Sequence, residues 1–329
     1  MKAGAAFRWI GLAAVVAVGL QGAGSFLAQA QSDFLRSDRM PYDAFDRLAK
    51  VDVDVPGGVI HVAFAPGDIA LPRDKVLDWI RASAKAVSIY YGRFPVGSLK
   101  LLLVPVDGSR VRGGTTWAYR GAAIRVLVGR DSTEEDLRRD WVMVHEMVHL
   151  ALPDMDQRYG WLSEGLAVYV EPVARVQAGD LSAKEIWQAM VRDMPKGLPQ
   201  AGDQGLDNTD TWGRKYWGGA MFCLLADVEI RKRTANRLGL QDAMRGVIAG
   251  GGNHEQDWPI GQVLSTADKT VGLDVLTRLH HEMGAKPVTP DLAGLWRDLG
   301  LKLQNGSLEF DDQAPLAAIR SAITQSRVN

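Results

Sequence analysis

Two histidines four residues apart, His145 and His149, enclose Glu146 in the pentad HEMVH. On a helix, residues i and i+4 share a face, so both imidazoles can reach one cation at about 2.0–2.1 Å. Glu146, beside the first imidazole, is then set to touch a water held at the metal and not the metal itself. The other histidines provide a control. His254-Glu255 and His281-Glu282 also begin with His-Glu, yet neither has a His four residues on. Two imidazoles do not complete a catalytic zinc site, which takes three protein ligands and keeps one position open. Glu164, set among Trp161, Leu162, Leu166 and Val168, is an acid in an apolar stretch. A carboxylate there needs a partner, because burying a lone charge costs several kcal/mol. A metal ion is one such partner; an ion pair with Arg158, or a solvated place at a helix start, are the others.

The elements that must position these groups are legible from periodicity and punctuation. Strand-like runs lie at 59–64, 99–105 and 123–128, rich in β-branched residues or Leu and bounded by Gly or Pro. A helix from Pro72 to about Tyr91 separates the first two, with Val76, Leu77, Ile80, Ala84 and Val87 at helical spacing. Ser132 followed by Glu135 reads as a capping box. From there one helix is expected to run through the HEMVH pentad and stop before Pro153. Beyond residue 160 the composition is helical almost throughout, with Gly/Pro-rich breaks at 194–205, 249–253 and 284–290. Asn305-Gly306 between alternating apolar residues signals a short hairpin over 303–310. A helix from Pro290 to Leu299 precedes it, and a final helix follows. The sum is an α+β protein, organised as a lead-in at 31–58, an α/β front lobe at 59–152, a helical lobe at 153–300 and a C-terminal hairpin and helix at 301–329.

The first thirty residues differ from the rest. Lys2 and Arg8 precede an apolar run from Trp9 to Leu20, and Ala28-Gln29-Ala30 closes the segment. Together these are the basic, apolar and small-residue regions of a secretory signal peptide. The other reading is an uncleaved anchor over 9–28, about the ~20 residues that span a bilayer. Either reading implies export, periplasmic or extracellular, with membrane contact only if the segment is kept. Removing it leaves 36 basic residues against 39 acidic ones. That near balance gives no long-range field suited to nucleic acid. One cysteine, Cys223, cannot form an intramolecular disulfide or a Cys-based metal site and reads as a buried free thiol. No G-x-x-x-x-G-K-[ST] loop is present for a nucleotide, and the mature chain has no G-x-S-x-G elbow.

The pentad, followed by fourteen residues and then the Glu of WLSEGLAVYVE, closely resembles the gluzincin metallopeptidases. In particular it is similar to the peptidase MA-like group, related to thermolysin and the aminopeptidase N family, whose segments read HExxH … WLxEGxAxY. The resemblance covers roughly 60–285 and is dense at 133–171. It implies a thermolysin-like zincin catalytic fold: a small twisted β-sheet over the HExxH helix, with an α-helical lobe completing the cleft. It also implies one Zn²⁺ per chain held by His145, His149 and Glu164, with Glu146 as general base. Further on, Arg214-Lys215-Tyr216-Trp217-Gly218-Gly219-Ala220-Met221 resembles the aminopeptidase-N-like segment in which a Tyr precedes Gly-Ala at a helix start. The resemblance makes Tyr216 the donor that stabilises the oxyanion, a task a phenol can do without ionising at neutral pH. The alternative is an interfacial Tyr in a Trp- and Gly-rich turn.

A third match is partial. The edge strand of aminopeptidase relatives carries Gly-x-Met-Glu-Asn, whose Glu binds the substrate's free amine. The corresponding place here, Gly113 to Tyr119, keeps the glycines but has no acid. Gly113, Gly114, Thr115 and Thr116 are therefore candidate substrate-binding residues without an amine anchor. The expectation is an exported zinc metallopeptidase acting on a peptide or protein substrate at internal bonds. Two alternatives stand beside it. One is a zinc-bound, non-proteolytic peptide-binding or structural module. The other is an aminopeptidase that holds the amine with Glu171, Asp154 or Asp156.

Overall fold

The computed structural model describes residue 34 and residues 39–325, residue 305 excepted. The signal-like segment 1–30 lies outside the described residues. Five strands form a mixed sheet: β1 (Lys50–Val55), β2 (Gly58–Phe64), β3 (Ser98–Val106), β4 (Val111–Trp117) and β5 (Ala123–Gly129). Their order is β1-β2-β3-β5-β4, parallel across β2-β3-β5 and antiparallel at both edges. The helix α2 (Arg73–Tyr91) makes the crossover from β2 to β3 that a parallel pair requires. It starts behind Pro72 and stops at Gly92, whose φ of +80° suits the left-handed helix end.

The central strand shows why the sheet is buried on both faces. Leu99, Leu101 and Leu103 of β3 point into the main core with the helices, while Leu102 and Val104 point the other way. That is the period of two expected of a strand. The second face is covered by Phe34, Met40 and the short helix α1 (Tyr42–Arg47), with Phe45 fully buried. The region read from sequence as a lead-in thus holds both α1 and β1. In β1 only Val53 is fully buried, as befits an edge strand whose polar residues alternate with valines.

The helix after β5 differs from the sequence expectation. Instead of one continuous helix there are two, α3 (Glu134–Arg138) and α4 (Val142–His149). The capping box is Thr133 with Asp136, not Ser132 with Glu135: Thr133 Oγ1 accepts from Asp136 N, and Asp136 Oδ2 accepts from Thr133 N. Glu135 pairs with Arg138 and Arg139 instead. The break comes at Asp140, whose carboxylate accepts from Val142 N and Met143 N, each at 3.0 Å. A short acid that bonds nearby backbone N–H groups competes with the helix and restarts it. The restart sets the direction of the pentad independently of α3.

The helical lobe follows: α5 (Gly160–Gln177), α6 (Ala183–Asp193), a π-helical turn (Gly213–Gly218) running into α7 (Gly219–Arg233), α8 (Leu240–Ala249), α9 (Ile260–Val271), α10 (Val275–Met283) and α11 (Leu292–Asp298). The expected hairpin is present as β6 (Leu301–Gln304) and β7 (Ser307–Phe310), and α12 (Ala317–Ile323) comes last. Cys223 is a buried free thiol. Among the described residues no helix is long and apolar enough to cross a membrane.

Candidate metal centre

The helix α4 carries His145 and His149 one turn apart, ring centroids 4.9 Å from each other. Both present Nε2 to α5. Glu164 Oε2 lies 3.2 Å from His145 Nε2 and 3.6 Å from His149 Nε2. One ligand atom from each of the three residues lies within 4.8 Å of the others. Two imidazole nitrogens and one carboxylate oxygen are the donor set of a catalytic zinc site with an open position, so the residues present fit the ion. Arg158, the alternative partner for Glu164, instead lies over the Tyr159 ring at 4.5 Å.

The protonation states suit metal binding. Burial, with His145 adding to it, pushes the His149 pKa down to about 3, so the ring is neutral. Its Nδ1 sits 2.9 Å from Ser163 Oγ. A ring that offers Nε2 to a metal carries its proton on Nδ1, which therefore donates to Ser163. Burial pushes the Glu164 carboxyl up, but the hydrogen bond with His145 and the charge of Lys215 help to outweigh it. The net effect holds Glu164 below the usual carboxylate range.

Glu146 is placed by β4. Thr116 Oγ1 lies 2.7 Å from Glu146 Oε2 and donates to it. A Cβ built on Gly114 would meet Glu146 Cγ at 2.5 Å and Oε1 at 3.0 Å. Only glycine lets the acid lie this close to the strand, and Gly114 and Thr116 share one strand face by the period of two. Burial pushes the Glu146 pKa up to about 6, with His145 and the Thr116 hydrogen bond opposing it. The candidate strand residues Gly113, Gly114, Thr115 and Thr116 all line the cleft.

Tyr216 comes from the π-helical turn, a form found often at functional sites. Its ring stacks on Trp212, and its phenol is pushed up to about 12 by burial and by the facing Glu164 and Glu146 carboxylates. It stays protonated at neutral pH and can donate. Glycines make this arrangement possible. A Cβ on Gly219 would fall 2.0 Å from Trp161 O, and one on Gly165 would fall 2.2 Å from Gly219 C. The WLSEG segment and the YWGGA segment therefore touch backbone to backbone, which brings Tyr216 to Glu164.

A cleft of about 450 Å³ opens over these groups, with β4 along one side and Glu164, Tyr216 and His254 along the other. No spacing in the sequence singles out His254. Its loop is laced to the end of α4 by His254 N donating to Leu150 O and Asp154 N donating to Gln256 O. Two of the three acids that could anchor an amine are elsewhere: Glu171 is buried against Arg175 at 3.0 Å, and Asp156 caps Arg158 N. Asp154 lines an adjoining cavity that shares Ser163, Glu164 and His254 with the cleft.

Solved structures share this architecture. The aminopeptidase N family protein from Idiomarina loihiensis matches with a TM-score of 0.57, covering 82% of this chain and 53% of that one at 15% identity. The M1 zinc metallopeptidase from Deinococcus radiodurans gives a TM-score of 0.49, covering 74% of this chain and 53% of that one at 17% identity. The chain spans about half the length of these structures. No family model and no curated protein matches the sequence. The chain therefore shares its α+β fold with the aminopeptidase N family protein, and it brings His145, His149 and Glu164 together as a group that could hold a metal ion.

Proposed function

We propose that this chain is an exported zinc peptidase that hydrolyses peptides at internal bonds. The observation that carries the catalytic part is the convergence of His145 Nε2, His149 Nε2 and Glu164 Oε2 beside Glu146 and Tyr216 in one cleft. Zinc held there would supply Lewis acidity, lowering the pKa of water and polarising a carbonyl. Glu146 takes the proton of the attacking water. Thr116 occupies Oε2 of that acid, so Oε1 is the atom free to accept the proton and pass it to the leaving amine. The Tyr216 hydroxyl donates to the oxygen on which negative charge develops. Buried neutral His149, held through Ser163, keeps its lone pair for the ion.

Support for internal cleavage comes from the cleft wall, whose carboxylates are Glu146 and Glu164 and no others among the described residues. Both are engaged, which leaves a free N-terminus without a fixed countercharge. Desolvating an ammonium there is penalised relative to an acetylated end. The second reading, removal of N-terminal residues, draws on the fold shared with the Idiomarina protein and on Asp154 in the adjoining cavity. Export rests on the basic, apolar and small-residue regions of 1–30.

Mass-spectrometric mapping of products from matched free and N-acetylated peptides separates the readings. N-acetylated peptides should be cut at least as well, at internal bonds. Release of the first residue alone, abolished by acetylation, would make the protein an aminopeptidase. Peptide binding by the zinc-loaded protein with no cleavage of either set would favour a non-proteolytic module.

A further inference from the structure

The edge strand β4 does not run evenly along β5. Val111 pairs with Val128 and Gly113 with Leu127, so Arg112 is an extra residue with no partner across the ladder. A bulge of this kind bends the strand and re-aims a side chain, and bulges collect at sheet edges beside active sites. The bulged residue here is an exposed arginine that lines the cleft over the metal-binding triad. Its neighbour Arg110 is paired with Asp136 at 3.6 Å, whereas no described residue gives the Arg112 side chain an ion pair or a hydrogen bond. Neither carboxylate of the cleft wall is ion-paired with it. Glu146 is bonded to Thr116 and Glu164 faces the two imidazoles.

A guanidinium keeps five donors in a fixed fork, and a carboxylate accepts two of them side by side. As an edge strand, β4 also has backbone groups free to pair with an extended peptide, which would then pass the bulge. We propose that Arg112 selects peptide substrates that carry a carboxylate close to the bond being cut. The proposal rests on the peptidase reading above and names its substrate class. The carboxylate can be an Asp or Glu side chain or the substrate's own C-terminus, and the chemistry of recognition is the same.

The test compares kcat/KM for doubly blocked peptides identical except for Glu or Gln at each position flanking the cut. A further pair differs in a free or amidated C-terminus. The wild-type protein should favour one anionic member by about tenfold, the size of one charge-assisted hydrogen bond. Which pair shows the preference identifies the source of the carboxylate. In Arg112→Met, which keeps the stem and loses the fork, the ratio should fall to near one, and Arg112→Lys should retain part of it. The same pairs are titrated by fluorescence anisotropy against zinc-loaded Glu146→Gln protein, which reads the charge preference without turnover. Absence of cleavage by wild type would then count against the peptidase reading alone. A ratio equal in wild type and Arg112→Met, in both cleavage and binding, would overturn the role of Arg112.

Discussion

Two walls face each other across the cleft, and they are held by different means. The wall made by β4 and α4 positions Glu146 through side-chain contact, with the Thr116 hydroxyl on one oxygen and the bare backbone of Gly114 against the other. The wall made by α5 and the Gly213–Gly218 turn positions Glu164 and Tyr216 through backbone contact, with Gly165 against Gly219. The first wall tunes a proton-handling group, and the second completes a ligand set. Proton transfer and metal binding should therefore fail separately when each wall is damaged.

The largest effect is expected from Gly219→Ala. Its methyl would sit 2.0 Å from Trp161 O, so α5 and the π-helical turn must part. The cost is at or above the ~1–3 kcal/mol typical of overpacking. Thermal unfolding and zinc content should both fall; wild-type values for both would show that glycine contact does not hold this wall. Glu164→Ala removes a ligand and leaves the backbone contact alone. Zinc affinity should drop by more than the ~10–100-fold seen when an outer partner is lost, with the unfolding midpoint of the zinc-free protein little changed. Full zinc occupancy in Glu164→Ala at limiting zinc would remove it from the ligand set.

The smallest effect belongs to the opposite wall. Thr116→Val keeps the shape of the side chain and deletes the donor to Glu146. The base must be ionised to work, and burial already raises its pKa to about 6. Losing a hydrogen bond that favours the ionised form raises the pKa further. Turnover therefore falls as pH drops, and the acid limb of the pH profile should move to higher pH in Thr116→Val. One charge-assisted hydrogen bond is worth about one pH unit, so the loss should be about tenfold below the limb and about twofold at neutral pH, with zinc content unchanged. An unmoved acid limb would mean that Thr116 does not tune the base.

The two walls also differ in how far they can be read from sequence. Residues that act at fixed helical spacing are plain: His145 and His149 one turn apart, and the alternating runs that form β2, β3 and β5. Glu164 and Tyr216 stand out through resemblance to a family pattern. What brings them together is a contact between Gly165 and Gly219, distant in sequence, that no local periodicity encodes. The helix break at Asp140 escapes periodicity because an acid that caps by folding back on nearby N–H groups looks, in sequence, like one more polar helix residue. The Thr133–Asp136 box lies one residue from the expected one, since both pairs satisfy the same spacing rule. His254, Ser163 and Arg112 carry no signal at all. Their places depend on loop lacing, on the partner of an imidazole and on a bulge in register.

The most direct test of the whole site is turnover by zinc-loaded Glu146→Gln beside zinc-loaded wild type, on one N-acetylated, C-amidated peptide. Gln keeps the size of the side chain and its place between Gly114 and Thr116 but cannot take a proton. Wild type should cut inside the peptide, and the variant, with the same zinc content, should be slower by roughly the 10²–10⁴ of general acid–base catalysis. Equal turnover by the two zinc-loaded proteins would contradict the assignment of Glu146 as the base, and no cleavage by either would contradict the peptidase reading.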